Sequence, residues 1–125
     1  MIIGVGIDLC EIGRMEALLY EERFLAHYFA QEEQEYIHDR GRMASASMAG
    51  IFAAKEALVK ALGTGFTDTQ LSDIRVKHDA CGAPYFDLTG GIAVHVSQRG
   101  ITSLYLSITH EGNMAAAVVI AERNI

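Results

Sequence analysis

The sequence lacks the features that mark several large classes of protein. Its two cysteines, Cys10 and Cys81, lie far apart and have neither metal-ligand spacing nor the pattern of a disulfide framework. Reduced thiols in a cytoplasmic protein are therefore expected. No apolar run is long enough to span a bilayer. The apolar start MIIGVGI is too short for a signal peptide, and Asp8 interrupts it. No membrane contact is expected.

Basic residues are also scarce. The chain has 10 Lys and Arg against 16 Asp and Glu, a formal net charge of -6. A general nucleic-acid binder needs a basic footprint, so nucleic acid is not an expected partner. There is no internal repeat, low-complexity tract or linker. Half of the 125 residues are hydrophobic, which predicts one domain over residues 1–125 with a small core that an oligomer interface could enlarge.

Hydrophobic periodicity predicts one strand, then helices, then mostly strands. The predicted strands cover residues 2–9, 74–79, 84–88, 102–110 and 114–121. The predicted helices cover residues 11–19, 31–38, 43–62 and 90–100, the last of which could also be a strand. A loop is predicted over residues 63–70, and EGN between the last two strands indicates a hairpin turn. This order favours an α+β fold in which an antiparallel sheet packs against a long central helix.

The first strand alternates sharply between two faces. Ile3, Val5, Ile7 and Leu9 share one face, while Gly4, Gly6 and Asp8 share the other. The glycines leave the Asp8 face open to close approach by backbone or ligand. Asp8 itself has two interpretations: a cap for the following helix, or a ligand for a hard cation such as Mg²⁺.

The central helix is apolar nearly all round, which predicts that it is buried with its alanine face against another backbone. Glu56 and Lys60 stand together on one edge. They could form an ordinary ion pair one turn apart, or they could serve a site with Asp8. Gly63 and Gly65 follow Lys60; a cation and a flexible backbone suit phosphate, although glycines after a helix are also ordinary caps.

Taken together, these stretches resemble the 4′-phosphopantetheinyl transferases, and within them the small holo-[acyl-carrier-protein] synthases. The resemblance runs almost end to end. It rests on GVGIDLCEIGR and FAAKEALVKALGTG, and also on APYF and LSITHEGNMAAAVVI near the C-terminus. It implies the 4′-phosphopantetheinyl transferase-like fold. It also implies a homotrimer with sites at the subunit interfaces.

The resemblance further implies a reaction used in fatty acid biosynthesis. Coenzyme A gives its phosphopantetheine arm to a serine of apo acyl-carrier protein, and adenosine 3′,5′-bisphosphate leaves. Asp8 and Glu56 would bind Mg²⁺, and Lys60 would meet the pyrophosphate. Gly63 and Gly65 would lie at the same substrate site. A metal-bound water or Glu56 would serve as the base, and both alternatives stay open.

Three departures from the family pattern concern substrate binding. Many relatives have an arginine where this chain has Ile51, and His-Val-Ser where it has Tyr105-Leu106-Ser107. These positions are associated with the nucleotide end of coenzyme A, which makes Ser107 a substrate-binding candidate. The missing arginine removes a charged hydrogen bond worth about 1.5–3 kcal/mol. Lys55, Arg42 or His110 could replace it.

The third departure concerns the carrier protein, whose acidic helix is expected to dock on a basic patch of the first helix. Arg14 matches the family there, but the following YEERFLAHYF is less basic than such a site requires. Two alternatives to the transferase remain. One is a catalytically weak module that binds carrier protein or coenzyme A, and the other is a Mg²⁺-dependent phosphohydrolase.

Overall fold

The computed structural model describes residues 1–63 and 70–124. Within these residues the strands are β1 Ile2–Glu11, β2 Ile74–His78, β3 Pro84–Leu88, β4 Ser103–Glu111 and β5 Met114–Glu122. The α-helices are α1 Ile12–Leu18, α2 Glu22–Tyr28, α3 Gln31–His38, α4 Ala44–Leu62 and α5 Gly90–Gln98. Short 3-10 helices cover Gly41–Met43 and Leu71–Asp73. The order of elements confirms the predicted α+β class, and the ambiguous segment at 90–100 is a helix.

The loop predicted over residues 63–70 falls largely outside the described residues, because 64–69 are not described. Helix α2, which sequence periodicity did not reveal, has only 7 residues. Its aromatic side chains pack on α4, where the rings of Phe24 and Tyr28 lie 6.0 and 5.4 Å from that of Phe52. A helix this short is stabilised by such tertiary contacts rather than by its own pattern.

The strands form two antiparallel sheets. The larger has the order β1-β5-β4, and the smaller is the β2-β3 pair. In the larger sheet Asp8 pairs with Ala117, which in turn pairs with Ile108. Side chains directly opposite each other share a face. The sheet therefore has an inner face, turned to α4, that carries Asp8 and Ala117, and an outer face that carries the alternate residues.

Helix α4 lies on the inner face at unusually close range. A Cβ added to Gly6 would lie 1.8 Å from the carbonyl oxygen of Ala57, and one added to Gly4 would lie 1.9 Å from that of Ala61. Any side chain at these two positions would push the helix off the sheet. The predicted contact between the alanine face and another backbone is confirmed, and it brings the edge of α4 next to Asp8.

The outer face of the larger sheet exposes apolar side chains. Val5, Ile7 and Leu9 on β1 are 59%, 63% and 62% exposed, and Tyr105 on β4 is 53% exposed. The register sets Ile7 opposite Val118, so the exposed residues form a continuous apolar band across neighbouring strands. A contiguous apolar surface of this kind is typical of an interaction site. In residues 1–63 and 70–124, no helix combines the length and apolar character needed to cross a membrane.

Candidate active site at the edge of the central helix

Asp8 and Lys60 are in direct contact. The Lys60 Nζ donates hydrogen bonds to Asp8 Oδ1 at 2.8 Å and to the carbonyl oxygen of Ile7 at 3.2 Å. The side chain of Lys60 is 56% exposed and that of Asp8 is 20% exposed, so the pair stays open to a ligand. The hydrogen bond to Asp8 raises the pKa of Lys60, which keeps the ammonium charged. The structure thus joins two residues that are 52 positions apart in the sequence.

Glu56 lies one turn before Lys60 on the same helix and is half-buried. Burial, and after it the negative charge of Asp8, raises the pKa of Glu56, while Lys60 and Arg14 oppose the rise. A carboxylate whose pKa is raised by a neighbouring carboxylate lies in a local excess of negative charge, which a cation relieves. We call Asp8, Glu56 and Lys60 the α4 edge. Their proximity agrees with the predicted site.

Arg14 reaches the α4 edge from helix α1. Its guanidinium carbon lies 5.5 Å from the centre of the Phe52 ring, a cation–π distance. The β4–β5 turn holds the start of α1, because Asn113 accepts hydrogen bonds from Ile12 N–H at 2.8 Å and from Gly13 N–H at 3.0 Å. The exposed Arg14 is therefore positioned beside the site and adds positive charge to its rim.

The donor set fits a magnesium ion. No group of three or more metal-ligating His, Cys, Asp or Glu side chains occurs within residues 1–63 and 70–124. Mg²⁺ does not need such a cage, since it typically binds one or two carboxylates and completes its shell with waters and substrate phosphates. Asp8 and Glu56 supply two carboxylates of this kind at a partly open edge. The nearby thiol of Cys10 is buried, and burial raises its pKa, which disfavours a thiolate ligand.

The prediction that Lys55 binds substrate is wrong. Its side chain is 0% exposed, and its Nζ donates to Glu33 Oε1 at 2.6 Å. It also donates to the carbonyl oxygens of Leu71 at 2.9 Å and Ile74 at 2.5 Å. All three ammonium protons thus have protein acceptors. Although Lys55 precedes Glu56 in sequence, it points into the core, so it can neither reach a substrate nor replace the missing arginine.

Glu33 is a residue that the sequence patterns missed. In the sequence it is simply an acid that suits the start of a helix. Its Oε1 does accept a hydrogen bond from Ala30 N–H at 2.9 Å at that helix start. It is also 1% exposed, and its Oε2 accepts from Val76 N–H at 2.9 Å. The one available signal was Lys55 in the middle of the bulky arc of α4, which implied a buried acidic partner.

The two candidates on β4 lie on opposite faces of the sheet. His110 shares the inner face with Asp8, and its Nε2 is 2.9 Å from the carbonyl oxygen of Ala46. Ser107 lies on the outer face opposite Val118 and is exposed. One chain therefore does not bring Ser107 together with Asp8.

A cleft of about 190 Å³ lies beside Ile51 and His110. Arg40, His78 and Ser47 also line it. Ile51 itself is 1% exposed, so it forms part of the apolar floor of the cleft and supplies no charge. Arg42, another substitute that the sequence left open, is exposed in the 3-10 helix before α4. The cleft thus contains the guanidinium of Arg40, although Ile51 supplies no charge.

Of the two predicted glycines after Lys60, the structure describes only Gly63. Gly63 has φ +82°, and its N–H donates to the carbonyl oxygen of Lys60 at 3.1 Å. It is therefore a helix cap that few other residues could replace. A phosphate contact by Gly63 stays a prediction. Gly65 lies outside the described residues.

The α+β architecture and the α4 edge, with two carboxylates and one ammonium, are compatible with a site for a phosphorylated ligand and a divalent cation. The match to known proteins is narrower. The chain matches the family model described as "4'-phosphopantetheinyl transferase superfamily" over residues 4–119. It belongs to this superfamily.

Individual relatives are similar over nearly their whole length. A holo-[acyl-carrier-protein] synthase of Treponema denticola is 44% identical over 122 residues, covering 98% of this chain and 99% of the relative. The crystal structure of the Neisseria meningitidis synthase is 31% identical with a TM-score of 0.88, covering 98% of this chain and 100% of that one. The Helicobacter pylori synthase in complex with coenzyme A is 31% identical with a TM-score of 0.79, covering 94% and 99%.

Proposed function

We propose that this chain is a holo-[acyl-carrier-protein] synthase. The serine oxygen of an apo acyl-carrier protein attacks the phosphorus that carries the pantetheine arm of coenzyme A. The bond from that phosphorus to the bridging oxygen breaks, and adenosine 3′,5′-bisphosphate leaves with the electron pair. The observation that carries the proposal is the α4 edge, where Lys60 and two carboxylates meet in a chain that belongs to the transferase superfamily.

Asp8 and Glu56 would hold the magnesium ion, which would neutralise the charge of the pyrophosphate. The glycine–alanine contact fixes the distance between β1 and α4, the elements that carry these two carboxylates. Such preorganisation is what electrostatic catalysis requires. Either Glu56 or a water held by the magnesium ion would accept the serine proton.

Lys60 would stabilise the leaving group. Its ammonium is a compact charge on a flexible stem, and 56% of the side chain is exposed. In the absence of substrate it neutralises Asp8. When pyrophosphate binds, a short movement would let the same ammonium donate to a phosphate oxygen. Gly63 and Gly65 would supply backbone at this end of the helix.

The nucleotide end of coenzyme A would lie in the cleft beside Ile51. His110 and Arg40 line that cleft and can take the 3′-phosphate in place of the missing arginine. The Ile51→Arg variant tests this assignment. It should tighten coenzyme A binding in calorimetry, whereas an unchanged dissociation constant would locate the phosphate elsewhere.

The active assembly would be a homotrimer with its sites between subunits. The apolar outer face, with Val5, Ile7 and Leu9 about three-fifths exposed, supports burial against another copy. Ser107 shares that face, so it could contact substrate held by a neighbouring subunit. Light scattering should give three times the chain mass, and an Ile7→Lys variant should lower it. A monomeric, fully active wild type would remove the trimer.

Arg14 would contact the acidic carrier protein. It is exposed on α1 beside the α4 edge, so a carrier docked there would present its serine to the site. The Arg14→Ala variant should raise the KM for carrier protein and leave that for coenzyme A unchanged. The proposed setting is cytoplasmic fatty acid biosynthesis.

The deciding experiment incubates the protein with apo carrier protein, coenzyme A and Mg²⁺ and measures the carrier mass. A gain of one phosphopantetheine group supports the transferase. No gain with several carriers, despite coenzyme A binding, would indicate the weak binding module instead. Release of phosphopantetheine to water without any carrier would indicate the phosphohydrolase. Omitting Mg²⁺ should stop the reaction.

A further inference from the structure

The Lys55–Glu33 pair links parts of the chain that are distant in sequence. Glu33 on α3 binds Lys55 on α4, and Lys55 also binds the carbonyl oxygens of Leu71 and Ile74. Glu33 in turn accepts from Val76 N–H on β2. The pair therefore connects α4 to α3, to the start of β2 and to the 3-10 helix before it.

Stability alone does not explain a pair buried this deeply. The side chains of Lys55 and Glu33 are 0% and 1% exposed, so loss of water opposes both charges while their attraction at 2.6 Å supports them. Apolar replacement of such pairs is often neutral or stabilising, whereas a directional pair can specify one arrangement of the elements that it joins. A role in specifying geometry is the alternative that remains.

The contact between α4 and β1 leaves one degree of freedom weakly defined. Ala57 and Ala61 meet Gly6 and Gly4, so backbone packs on backbone with no interlocking side chains. This contact sets the distance between helix and strand, but a smooth surface resists rotation about the helix axis poorly. The remaining apolar contacts of α4 are non-directional. Directional contacts can set the rotation: that of His110 Nε2 with the carbonyl oxygen of Ala46 near the start of α4, and the hydrogen bonds of Lys55 next to Glu56.

The direction in which the side chains of Glu56 and Lys60 point depends on that rotation. On a helical wheel Lys55 and Ala57 lie about 100° to either side of Glu56, so one anchor flanks each side of the edge. A rotation of about 10° moves an atom about 6 Å from the helix axis by about 1 Å. A misplacement of about 1 Å can lower a catalytic rate by about 10²-fold.

We infer that the Lys55–Glu33 pair is a positioning device, which fixes the rotation of α4 and thereby aims Glu56 and Lys60 at Asp8. The inference rests on the proposed function of the α4 edge. It assigns no contact with substrate to either member of the pair. Their effect on transfer is exerted through Glu56 and Lys60.

The test uses the double variant Glu33→Gln/Lys55→Met, because single variants leave a buried charge unpaired. The new glutamine can still accept from Ala30 N–H or Val76 N–H, and the new methionine fills the space of the lysine stem. The matched control is Lys77→Met/Asp87→Asn, which removes an exposed ion pair of 2.8 Å on the β2–β3 sheet. Both are compared with the wild type at a temperature where circular dichroism shows them folded.

Crystal structures of the folded variants decide the inference. We expect the double variant to show α4 rotated and the hydrogen bond between Lys60 Nζ and Asp8 Oδ1, 2.8 Å in the intact protein, lengthened beyond hydrogen-bonding range. The control should keep it. An unrotated α4 with the bond intact would overturn the inference. This readout needs no turnover, so it is independent of whether the wild type transfers phosphopantetheine.

Kinetics provide the second readout. In the double variant, kcat for transfer should fall about 10- to 100-fold, with a smaller change in the KM for carrier protein. The concentration of Mg²⁺ that gives half-maximal rate should rise several-fold. The control should match the wild type in all three. A double variant with wild-type kcat and Mg²⁺ dependence would leave the pair as a stabilising element only and overturn the positioning role.

Discussion

Helix α4 carries two lysine–carboxylate pairs that have the same chemistry and different surroundings. Lys55 and Glu33 are 2.6 Å apart with side chains 0% and 1% exposed, whereas Lys60 and Asp8 are 2.8 Å apart with side chains 56% and 20% exposed. Distance alone would rank them as equals. Exposure separates them, because the buried pair is saturated by protein groups and the open pair can exchange partners with a ligand.

The place of a lysine in a sequence motif does not by itself identify the role of that lysine. Lys55 adjoins Glu56 in the sequence, yet it lies on the core side of the helix. Lys60 lies four residues after Glu56 and shares its edge. Losing the buried pair should therefore affect folding first, and losing the open pair should affect chemistry first.

The largest effect is expected from Glu56→Gln. Transfer should fall by about 10³-fold or more, because the proposed metal site, which would supply several kcal/mol of transition-state stabilisation, would lose a ligand. The Tm should be unchanged or higher. The folded pKa of Glu56 is raised, so its ionised form costs stability at neutral pH, and glutamine removes that cost. Single-turnover kinetics measure the transfer rate, and calorimetry measures the Tm. Wild-type turnover would remove Glu56 from the site.

Breaking the buried pair should have the next largest effect, on stability. Lys55→Met leaves the Glu33 carboxylate buried without its cation, which should lower the free energy of unfolding by about 3–5 kcal/mol. Urea denaturation measures this, and Glu33→Gln/Lys55→Met should recover much of the loss. A single variant as stable as the wild type would mean that Lys55 and Glu33 do not depend on each other.

Breaking the open pair should leave stability nearly unchanged. Lys60→Met should lower kcat by about 10²-fold if, as proposed, Lys60 is a charged donor to the leaving group. Its urea midpoint should stay at the wild-type value, since the ammonium is largely solvated. Lys77→Met, in an exposed pair away from the site, is the matched control for both measurements. A large loss of stability in Lys60→Met would erase the contrast between the two lysines.

The smallest effect concerns His78, where burial again opposes a charge. Burial, and after it the positive charge of Arg40, lowers the pKa of His78 below 6.5. Because the folded pKa is depressed, the contribution of His78 to the free energy of unfolding is fully present above pH 6.5. It is lost as the pH falls below 6.5 and through the folded pKa, since the folded protein resists protonation of the imidazole. An NMR titration of the imidazole should show the lowered pKa, and Arg40→Gln should raise it partly. A value at or above 6.5 in the wild type would contradict the assignment.

The local patterns that predicted the α4 edge were short in range. The alternation of β1 indicated an open face at Asp8, and the wheel of α4 brought Glu56 and Lys60 to one edge. The resemblance to a family connected them. What could not be predicted was long in range. Glu33 lies 22 positions before Lys55, and no periodicity relates the two.

The sheet faces show the same limit. The alternation correctly grouped Val5, Ile7 and Leu9, but it did not reveal that this apolar face would point away from α4. The glycine-lined face packs on the helix instead, because only glycine admits so close an approach. The same alternation separates Ser107 from His110 on β4. The glycines indicated a close approach, but the partner residues on α4 lie far along the chain, and no local pattern identifies them.

The most direct test of the central claim is a crystal structure with coenzyme A and Mg²⁺ bound. We expect a metal ion about 2.0–2.1 Å from a carboxylate oxygen of Asp8 and of Glu56. We also expect Lys60 to donate to the pyrophosphate while Lys55 keeps its buried partners. A pyrophosphate bound away from the α4 edge, or a metal held by neither carboxylate, would contradict the claim.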